Sequence, residues 1–163
     1  MDKQYSSLAS VYDSLNYGCD YLAIADYLTK EIRENQLTKT NLVLDLACGT
    51  GKLTFLLRDK GFDMTGIDLS EEMLSQAKDI CYDKGINDIL WLCQDMANFE
   101  LYGTVDACVC TLDSINYLTK LSQVKKCFSL VHNYLIPDGV FVFDINTPKR
   151  FKEFYSHRSS IVH

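Results

Sequence analysis

The chain has 163 residues, with 16 Lys or Arg against 22 Asp or Glu, for a formal net charge of −6. A hydrophobic fraction of 47% excludes a disordered chain, and only two prolines and eight glycines exclude collagen-like or low-complexity sequence. The length predicts one domain, 1–163, with a sizeable core, and the acidic balance argues against nucleic acid as a partner because phosphate backbones are repelled.

The cysteines and histidines give no sign of a disulfide framework or a metal site. Seven cysteines, an odd number without a C-x-x-C motif, predict free and mostly buried thiols in a reducing cytoplasm. Cys108 and Cys110 lack a nearby histidine and are interpreted as core residues, so no metal is expected. No apolar run approaches the ~18 residues of a membrane helix, and the N-terminus lacks a signal-peptide layout, so no membrane partner is expected.

The N-terminal segment, residues 1–38, is predicted to be helical. Apolar residues recur there at the i, i+3, i+4, i+7 spacing of an amphipathic helix, on both sides of a break at Asn16-Tyr17-Gly18. The two sets are Tyr5, Leu8, Ala9 and Tyr12, and then Tyr21, Leu22, Ala25, Leu28 and Ile32.

Residues 40–146 alternate between short apolar runs and helical patterns. The predicted strands are 42–46, 62–68, 89–93, 105–110 and 140–145. Helical patterns begin near Leu53, Ser70 and Ser122, a turn is predicted at 137–139, and Pro148 opens a short helical piece in the tail, 147–163.

This alternation predicts an α/β fold. Strands that read as apolar runs without strict alternation are buried on both faces, which favours a parallel sheet covered by helices. Right-handed crossovers then give an open, doubly wound, Rossmann-like sheet of about five strands, which binds its ligands at the carboxyl ends of the strands.

Chemically specific residues follow four of the five predicted strands. They are the 45–51 loop Asp-Leu-Ala-Cys-Gly-Thr-Gly, Asp68, the 94–96 segment Gln-Asp-Met and the 111–114 segment Thr-Leu-Asp-Ser. Each could serve only to cap the helix that follows it. Since parallel strands present their carboxyl ends at one edge, the combination predicts a binding site there.

The glycine loop matches only part of a dinucleotide-binding fingerprint. Gly49 and Gly51 allow a ligand to approach the backbone, near outward-pointing helix N–H groups. The third glycine of the G-x-G-x-x-G pattern would fall on Thr54, and Ala47 takes the place of an earlier glycine, so the loop is weak evidence for a pyrophosphate. Cys48 is interpreted as a small filler rather than a reactive thiol.

Acidic side chains after the second and third strands suit a nucleoside. Asp68 ends strand two, where a carboxylate can accept both ribose hydroxyls and disfavours a 2′-phosphate. Asp95 is placed to accept from an exocyclic amine. Leu69, Met73 and Met96 are candidates for flanking a flat base, although a Met at helical spacing, as Met73 is, more often belongs to the core.

Taken together, these motifs resemble the class I S-adenosylmethionine-dependent methyltransferases. The matching segments are 45–51, 66–70 (Gly-Ile-Asp-Leu-Ser), 94–96 and 135–139 (Leu-Ile-Pro-Asp-Gly). Residues 5–13 resemble the leading helix of small-molecule methyltransferases in this superfamily. The resemblance implies a strand order of 3-2-1-4-5, S-adenosylmethionine as cofactor, S-adenosylhomocysteine as product and a small molecule as methyl acceptor.

The resemblance also implies individual roles. The 45–51 loop would hold the methionyl end of the cofactor, Asp68 the ribose hydroxyls and Asp95 the adenine amino group, with Met96 packed on the ring. The 111–114 segment would flank the transferred methyl. The expected cofactor-binding residues are Tyr12, Asp45, Ala47, Cys48, Gly49, Thr50, Gly51, Asp68, Leu69, Met73, Asp95, Met96, Thr111 and Asp113.

Methyl transfer from a sulfonium needs alignment and exclusion of water more than a catalytic triad. Tyr12 would close over the cofactor, and Asp113, Asn116, Tyr117 and Tyr12 itself are candidates near the methyl, should the acceptor require a general base. For each of them a purely structural polar role is equally consistent. The absence of Asn-Pro-Pro-Tyr or Pro-Cys after strand four argues against methylation of nucleic-acid bases.

Two alternatives stay open. A nicotinamide-dependent oxidoreductase would use the same fold, although Thr54 in place of the third glycine counts against it. A cofactor-binding fragment or subunit without independent activity is the other alternative, because methyltransferases of this family usually add two more strands after the fifth. We expect those strands to be lacking here, so that an apolar edge at 141–143 needs covering by a partner, a second copy or the tail.

Overall fold

The structure is a computed structural model that describes residues 19–35 and 41–149. This part of the chain contains four helices and five strands, which alternate except that the fourth strand follows the third without a helix between them. The helices are α1 (Tyr21–Asn35), α2 (Lys52–Asp59), α3 (Glu71–Lys84) and α4 (Leu121–Tyr134), and the strands are β1 (Leu42–Leu46), β2 (Asp63–Asp68), β3 (Ile89–Cys93), β4 (Val105–Cys110) and β5 (Leu135–Phe143). A short 3-10 helix, Ser114–Tyr117, follows β4.

All five strands are parallel and form one sheet in the order β3-β2-β1-β4-β5. The predicted doubly wound fold and its 3-2-1-4-5 order are therefore confirmed. β1 lies at the centre, and its register places Asp45 beside Gly66 of β2 and Val109 of β4. Since the chain reverses its winding direction at β1, the carboxyl ends of β1, β2 and β4 surround the crevice in which such folds bind ligands.

The core consists of two apolar clusters, one on each face of the sheet, because neighbouring residues of a buried strand point to opposite faces. Val43 of β1 packs with α1 and α2, whereas Leu44 packs with α4 on the other face. The first cluster is formed mainly by Ala25, Leu28, Ile32, Leu57, Met64, Ala107 and Val109, and the second by Leu46, Ile67, Phe99, Cys108, Cys110, Cys127 and Val131.

The second of the two predicted N-terminal helices is present as α1. Tyr21, Ala25, Leu28 and Ile32 face the core as expected. Leu22, which was expected on the same face, is 61% exposed. The first predicted helix, with Tyr5, Leu8, Ala9 and Tyr12, lies outside the described residues.

The predicted start of strand five and the turn at 137–139 are wrong. The strand begins at Leu135, directly after α4, and ends at Phe143 rather than Ile145. Val105 of β4 pairs with Leu135 but Ala107 pairs with Val140, so the predicted turn is a bulge within β5. Gly139 is required there, since a Cβ on it would lie 2.9 Å from the carbonyl oxygen of Ile136.

Smaller differences concern helix ends. The second strand was predicted from Phe62 and begins at Asp63, because the Phe62 N–H still donates to the Leu57 carbonyl at the end of α2. α4 begins one residue before the predicted Ser122. Residues 148 and 149 are helical as predicted, and the rest of the tail lies outside the described residues.

All seven cysteines are free thiols, four of them buried: Cys81, Cys108, Cys110 and Cys127. Within the described residues no group of three His, Cys, Asp or Glu side chains is arranged to hold a metal ion. None of the described helices is both long and apolar enough to cross a membrane.

Candidate functional site

A small cavity lies at the carboxyl edge of the sheet, beside the glycine loop. Its volume is about 20 Å³, enough for one water molecule, so a larger ligand must extend from it along the open edge. It brings together α1, the loop after β1, the start of α2 and the segment after β4. The lining residues are Tyr21, Asp45, Ala47, Cys48, Thr50, Lys52, Leu53, Thr111 and Leu112.

The glycine loop is a compact turn tied to its neighbouring strand. Ala47, Gly49 and Gly51 all have left-handed backbone conformations, with φ of 63°, 57° and 77°. The Cys48 N–H donates to the Ile67 carbonyl at 2.9 Å, and the Gly51 N–H donates back to the Cys48 carbonyl at 3.0 Å. Ala47, which the sequence analysis noted in place of an earlier glycine, has the strained left-handed φ that a glycine would adopt more easily.

Trp91 of β3 lies against the loop and occupies the space that a side chain at Gly51 or Gly66 would need. A Cβ on Gly51 would come within 2.4 Å of the indole ring, and one on Gly66 within 2.6 Å. Phe55 of α2 packs edge-on against the same ring, with centroids 5.6 Å apart. The sequence interpretation gave Gly51 only the role of admitting a ligand, and missed that its lack of a side chain also makes room for the tryptophan.

Asp45 and Thr54 form a buried hydrogen bond behind the loop. The Thr54 hydroxyl donates to Asp45 Oδ2 at 2.6 Å, and the two residues are 2% and 0% exposed. Burial raises the pKa of Asp45 to about 7, the hydrogen bond from Thr54 opposes that rise, and the charge of Asp68 adds to it. Thr54, which stands where a dinucleotide fingerprint has its third glycine, is thus a structural partner of the loop that sequence reasoning did not identify.

Asp68 is held in place at both of its oxygens. Oδ2 accepts the Gly49 N–H and Oδ1 accepts the Ser70 N–H, each at 2.8 Å. Burial raises the pKa of this carboxyl, and the backbone hydrogen bonds partly offset the rise. Ser70 also caps α3 through the Met73 N–H, as predicted. Because a carboxylate offers about four lone-pair sites, Asp68 can still accept donors from a ligand.

The residues expected around a flat base differ in exposure. Leu69, next to Asp68, is 66% exposed. Met73 is only 5% exposed, which agrees with the alternative interpretation of Met73 as a core residue. Met96 is half-buried and packs against the apolar cluster on the α4 face. The Asp95 carboxylate accepts the Ala97 N–H at 2.8 Å. This hydrogen bond gives Asp95 a structural role in the segment after β3, in addition to the ligand-binding role expected from the sequence.

The segment after β4 is a strained turn anchored to the end of β5. Leu112 and Asp113 both have left-handed backbones, with φ of 56° and 61°. The Asp113 N–H donates to the Asp144 carboxylate at 3.2 and 3.4 Å, and the Ser114 hydroxyl donates to the Thr111 carbonyl at 2.7 Å. Such conformations cost about 1–2 kcal/mol per residue, so they persist only where surrounding contacts hold them.

Two further candidates near the methyl lie on the 3-10 helix. Asn116 accepts the Asn146 N–H at 3.0 Å and so joins the ends of β4 and β5. Tyr117 is exposed. Asp113 differs from both, because its Oδ1 is buried and has no hydrogen-bond partner among the described residues.

Lys52 and Tyr21 form a wall of the cavity that sequence reasoning missed. The Lys52 ammonium lies 4.6 Å from the centre of the Tyr21 ring, a cation–π distance. The strand–loop–helix pattern could have pointed to Lys52, which begins α2. Cys48 also lines the cavity, and burial raises the pKa of its thiol well above its usual range, consistent with an inert filler. Tyr12, the predicted lid residue, lies outside the described residues.

Comparison with known proteins gives one family. A family model described as a methyltransferase domain matches residues 43–139. YqeM of Bacillus subtilis (strain 168), whose name marks its methyltransferase activity as inferred, is 41% identical over 152 residues, which are 93% of this chain and 59% of that protein. The dTDP-3-amino-3,4,6-trideoxy-alpha-D-glucopyranose N,N-dimethyltransferase of Streptomyces venezuelae is 32% identical over 83% of this chain and 56% of its own length.

A solved structure agrees with these matches. The crystal structure of an S-adenosylmethionine-dependent methyltransferase from Clostridium acetobutylicum ATCC 824 superimposes with a TM-score of 0.80 and 37% identity, over 93% of this chain and 61% of that one. The chain therefore spans about three fifths of the length of the relatives that it matches.

Proposed function

Because this chain belongs to the methyltransferase domain family, we propose that it binds S-adenosylmethionine at the carboxyl edge of its sheet and transfers the methyl group to a small-molecule acceptor. In enzyme nomenclature the proposal is a methyltransferase of class EC 2.1.1. S-adenosylhomocysteine would be the product left in the site.

The observation that carries the proposal is the fixed carboxylate of Asp68. Backbone N–H groups of Gly49 and Ser70 hold its two oxygens, and the remaining lone pairs suit the two hydroxyls of a ribose. The hydrogen bond to Gly49 also couples this carboxylate to the glycine loop. A nucleoside bound at Asp68 would therefore meet the loop that we assign to its methionyl end.

The loop and Asp68 favour a sulfonium nucleoside over a dinucleotide. Asp68 accepts the Gly49 N–H of the loop, and Thr54, which donates to the buried Asp45, stands where a pyrophosphate turn has its third glycine. A sulfonium cofactor has no phosphates to place in such a turn, and the Asp68 carboxylate attracts its positive charge. The oxidoreductase alternative would have to place a pyrophosphate against a loop that lacks this third glycine.

The remaining assignments follow from position. The backbone of the 45–51 loop and Thr111 would line the methionyl end, and Asp95 and Met96 would hold the adenine, with Leu69 on its exposed side. Met73, being buried, would support this surface rather than touch the base. When bound, the sulfonium supplies an activated methyl group. The chain's own contribution would be to align the acceptor with it and to exclude water.

A second candidate function rests on the share of its relatives that the chain spans. Since it covers 59% of YqeM, it could bind the cofactor without completing an active enzyme. β5 lies at the edge of the described sheet, where Phe141 and Phe143 pack against Phe128. We propose that a second copy, a partner or further sequence covers this edge.

The free thiols support a cytoplasmic location.

Calorimetric titration with S-adenosylmethionine, S-adenosylhomocysteine and NAD tests the proposal. We expect saturable binding of the first two and none of NAD. Binding of NAD alone would contradict the methyltransferase assignment. Screening methyl acceptors with this chain and with any longer polypeptide that contains it separates the two candidates, since a cofactor-binding piece would bind S-adenosylmethionine without turning it over.

A further inference from the structure

Lys52 places a positive charge in the wall of the cavity at the carboxyl edge of the sheet. The residue is exposed, and it lines the cavity together with Tyr21 of α1 and Thr111 after β4. No other Lys, Arg or His is among the described residues that line this cavity. A ligand that enters from solvent can therefore reach one cationic side chain there.

The Tyr21 ring restricts where this ammonium lies. Lys52 Nζ is 4.6 Å from the ring centre, and Tyr21 itself is 8% exposed and packs in the apolar cluster that contains Val43. A cation–π contact uses one side of an ammonium, which carries three N–H donors. The contact therefore positions the charge and leaves donors for an acceptor from another molecule.

No described carboxylate neutralises Lys52. The ion pairs among the described residues join other side chains, and none of them includes Lys52. Asp45 is the one acidic residue in the described lining of the cavity, but it is 2% exposed and accepts the Thr54 hydroxyl instead. An ammonium without a carboxylate partner favours an anionic group on the ligand, because hydrogen bonds between opposite charges are the stronger ones.

Lys52 also begins α2, so its own charge and the helix end act in the same direction. Gly51 is the N-cap and provides no side-chain hydrogen bond to the first turn. The first N–H groups of a helix have no acceptor within it, and the helix dipole favours negative charge at this end. The chemistry thus selects a carboxylate or a phosphate, and of these two the proposed cofactor carries a carboxylate.

Resting on the cofactor binding proposed above, we infer that Lys52 binds the carboxylate at the methionyl end of the cofactor and makes the site selective for nucleosides that carry this group. The proposed contacts of Asp68 and Asp95 are with the adenosine, so neither distinguishes S-adenosylhomocysteine from a nucleoside without a carboxylate. Lys52 supplies that discrimination through a charge-assisted hydrogen bond. Because the carboxylate does not react, Lys52 is a specificity residue and takes no part in the bond changes.

Calorimetry with two ligands isolates the carboxylate. S-adenosylhomocysteine is compared with its decarboxylated form, which keeps the adenosine, the thioether and the amine. We expect the wild type to bind S-adenosylhomocysteine about 10-fold more tightly, as for one charged hydrogen bond. Lys52→Met should remove this preference by weakening the binding of S-adenosylhomocysteine alone. Lys52→Arg, which keeps the charge, should retain the preference.

Lys84→Met is the matched control. The Lys84 ammonium also lies over an aromatic ring, 5.9 Å from the centre of Phe55, but Lys84 is the last residue of α3. Since α3 follows the carboxyl end of β2 and leads back to the start of β3, its last turn lies at the other edge of the sheet. This variant should bind both ligands as the wild type does.

The results separate this inference from the proposed function. If the wild type binds both ligands equally, if Lys52→Met loses affinity for both to the same extent, or if Lys52→Met keeps the wild-type preference, the role of Lys52 is overturned while cofactor binding stands. Loss of the preference in Lys84→Met would overturn it too. If neither ligand binds to the wild type, the proposed function and this inference are both overturned.

Discussion

At the scale of single residues, the site depends on side chains and glycines that hold each other in position. Asp68 orders the glycine loop through Gly49, and Trp91 occupies the space that Gly51 and Gly66 leave open. The residue type alone therefore does not show whether a residue binds the ligand or shapes the loop. Substitutions with matched controls separate them.

Replacing Asp68 tests the ribose assignment. Asp68→Ala should weaken S-adenosylhomocysteine binding by about 1–3 kcal/mol, because the charged acceptor of the hydroxyls is lost. Isothermal calorimetry measures the change. Asp63→Ala, at the other end of β2, is the control and should bind normally. An affinity of Asp68→Ala equal to the wild type would refute the assignment.

Replacing Gly66 tests the packing of Trp91 beneath the loop. Gly66→Ala should lower the free energy of unfolding by about 1–3 kcal/mol, since its methyl would overlap the indole ring. Gly103→Ala, where a Cβ meets nothing within 4 Å, should be nearly neutral. Urea denaturation provides both values. If the two variants proved equally stable, the close contact between Gly66 and Trp91 would not determine the fold here.

At the scale of elements, periodicity identified each described helix and strand. It did not show which apolar residues of an element are buried or where the element begins. Leu22 shares the apolar repeat of α1 with Leu28, yet the first is 61% exposed and the second 1%. The bulge in β5 is another case. A Pro-Asp-Gly sequence is typical of a turn, but pairing with β4 on both sides of it turns the same residues into part of a strand.

The two leucines of α1 give an element-level prediction. Leu28→Ala should cost about 2–5 kcal/mol of unfolding free energy, because it leaves a cavity between α1 and the sheet. Leu22→Ala on the same helix should change stability by less than about 0.5 kcal/mol. Urea denaturation of the two variants compares them directly. Equal losses would mean that α1 does not pack on the sheet through this face.

At the scale of the whole molecule, a carboxyl group buried in the central strand couples stability to pH. Asp45 has a pKa of about 7 in the folded chain and 3.8 when unperturbed. Between these values the folded state holds a proton that the unfolded state has lost. Stability contributed by this group therefore decreases as pH rises from about 4 to about 7, by at most about 4 kcal/mol.

Asp45→Asn should remove most of that pH dependence, since an amide does not titrate while its oxygen can still accept the Thr54 hydroxyl. Unfolding free energies of both proteins, measured by urea denaturation at several pH values from about 4 to about 8, give the comparison. The difference between the two curves isolates Asp45 from Asp68, whose pKa is also raised. Parallel curves would show that Asp45 is ionised in the folded chain throughout this range.

The sequence by itself determined the class of fold, the strand order implied by its family resemblance, and the residues at the strand ends, because apolar runs and helix caps are local signals. It left open whether each polar residue there binds a ligand or caps a helix. Only the tertiary structure placed Trp91 against two glycines, joined Thr54 to Asp45, and left one oxygen of Asp113 buried without a partner among the described residues. Those features arise from packing between strands and helices distant in the chain, which no local pattern encodes.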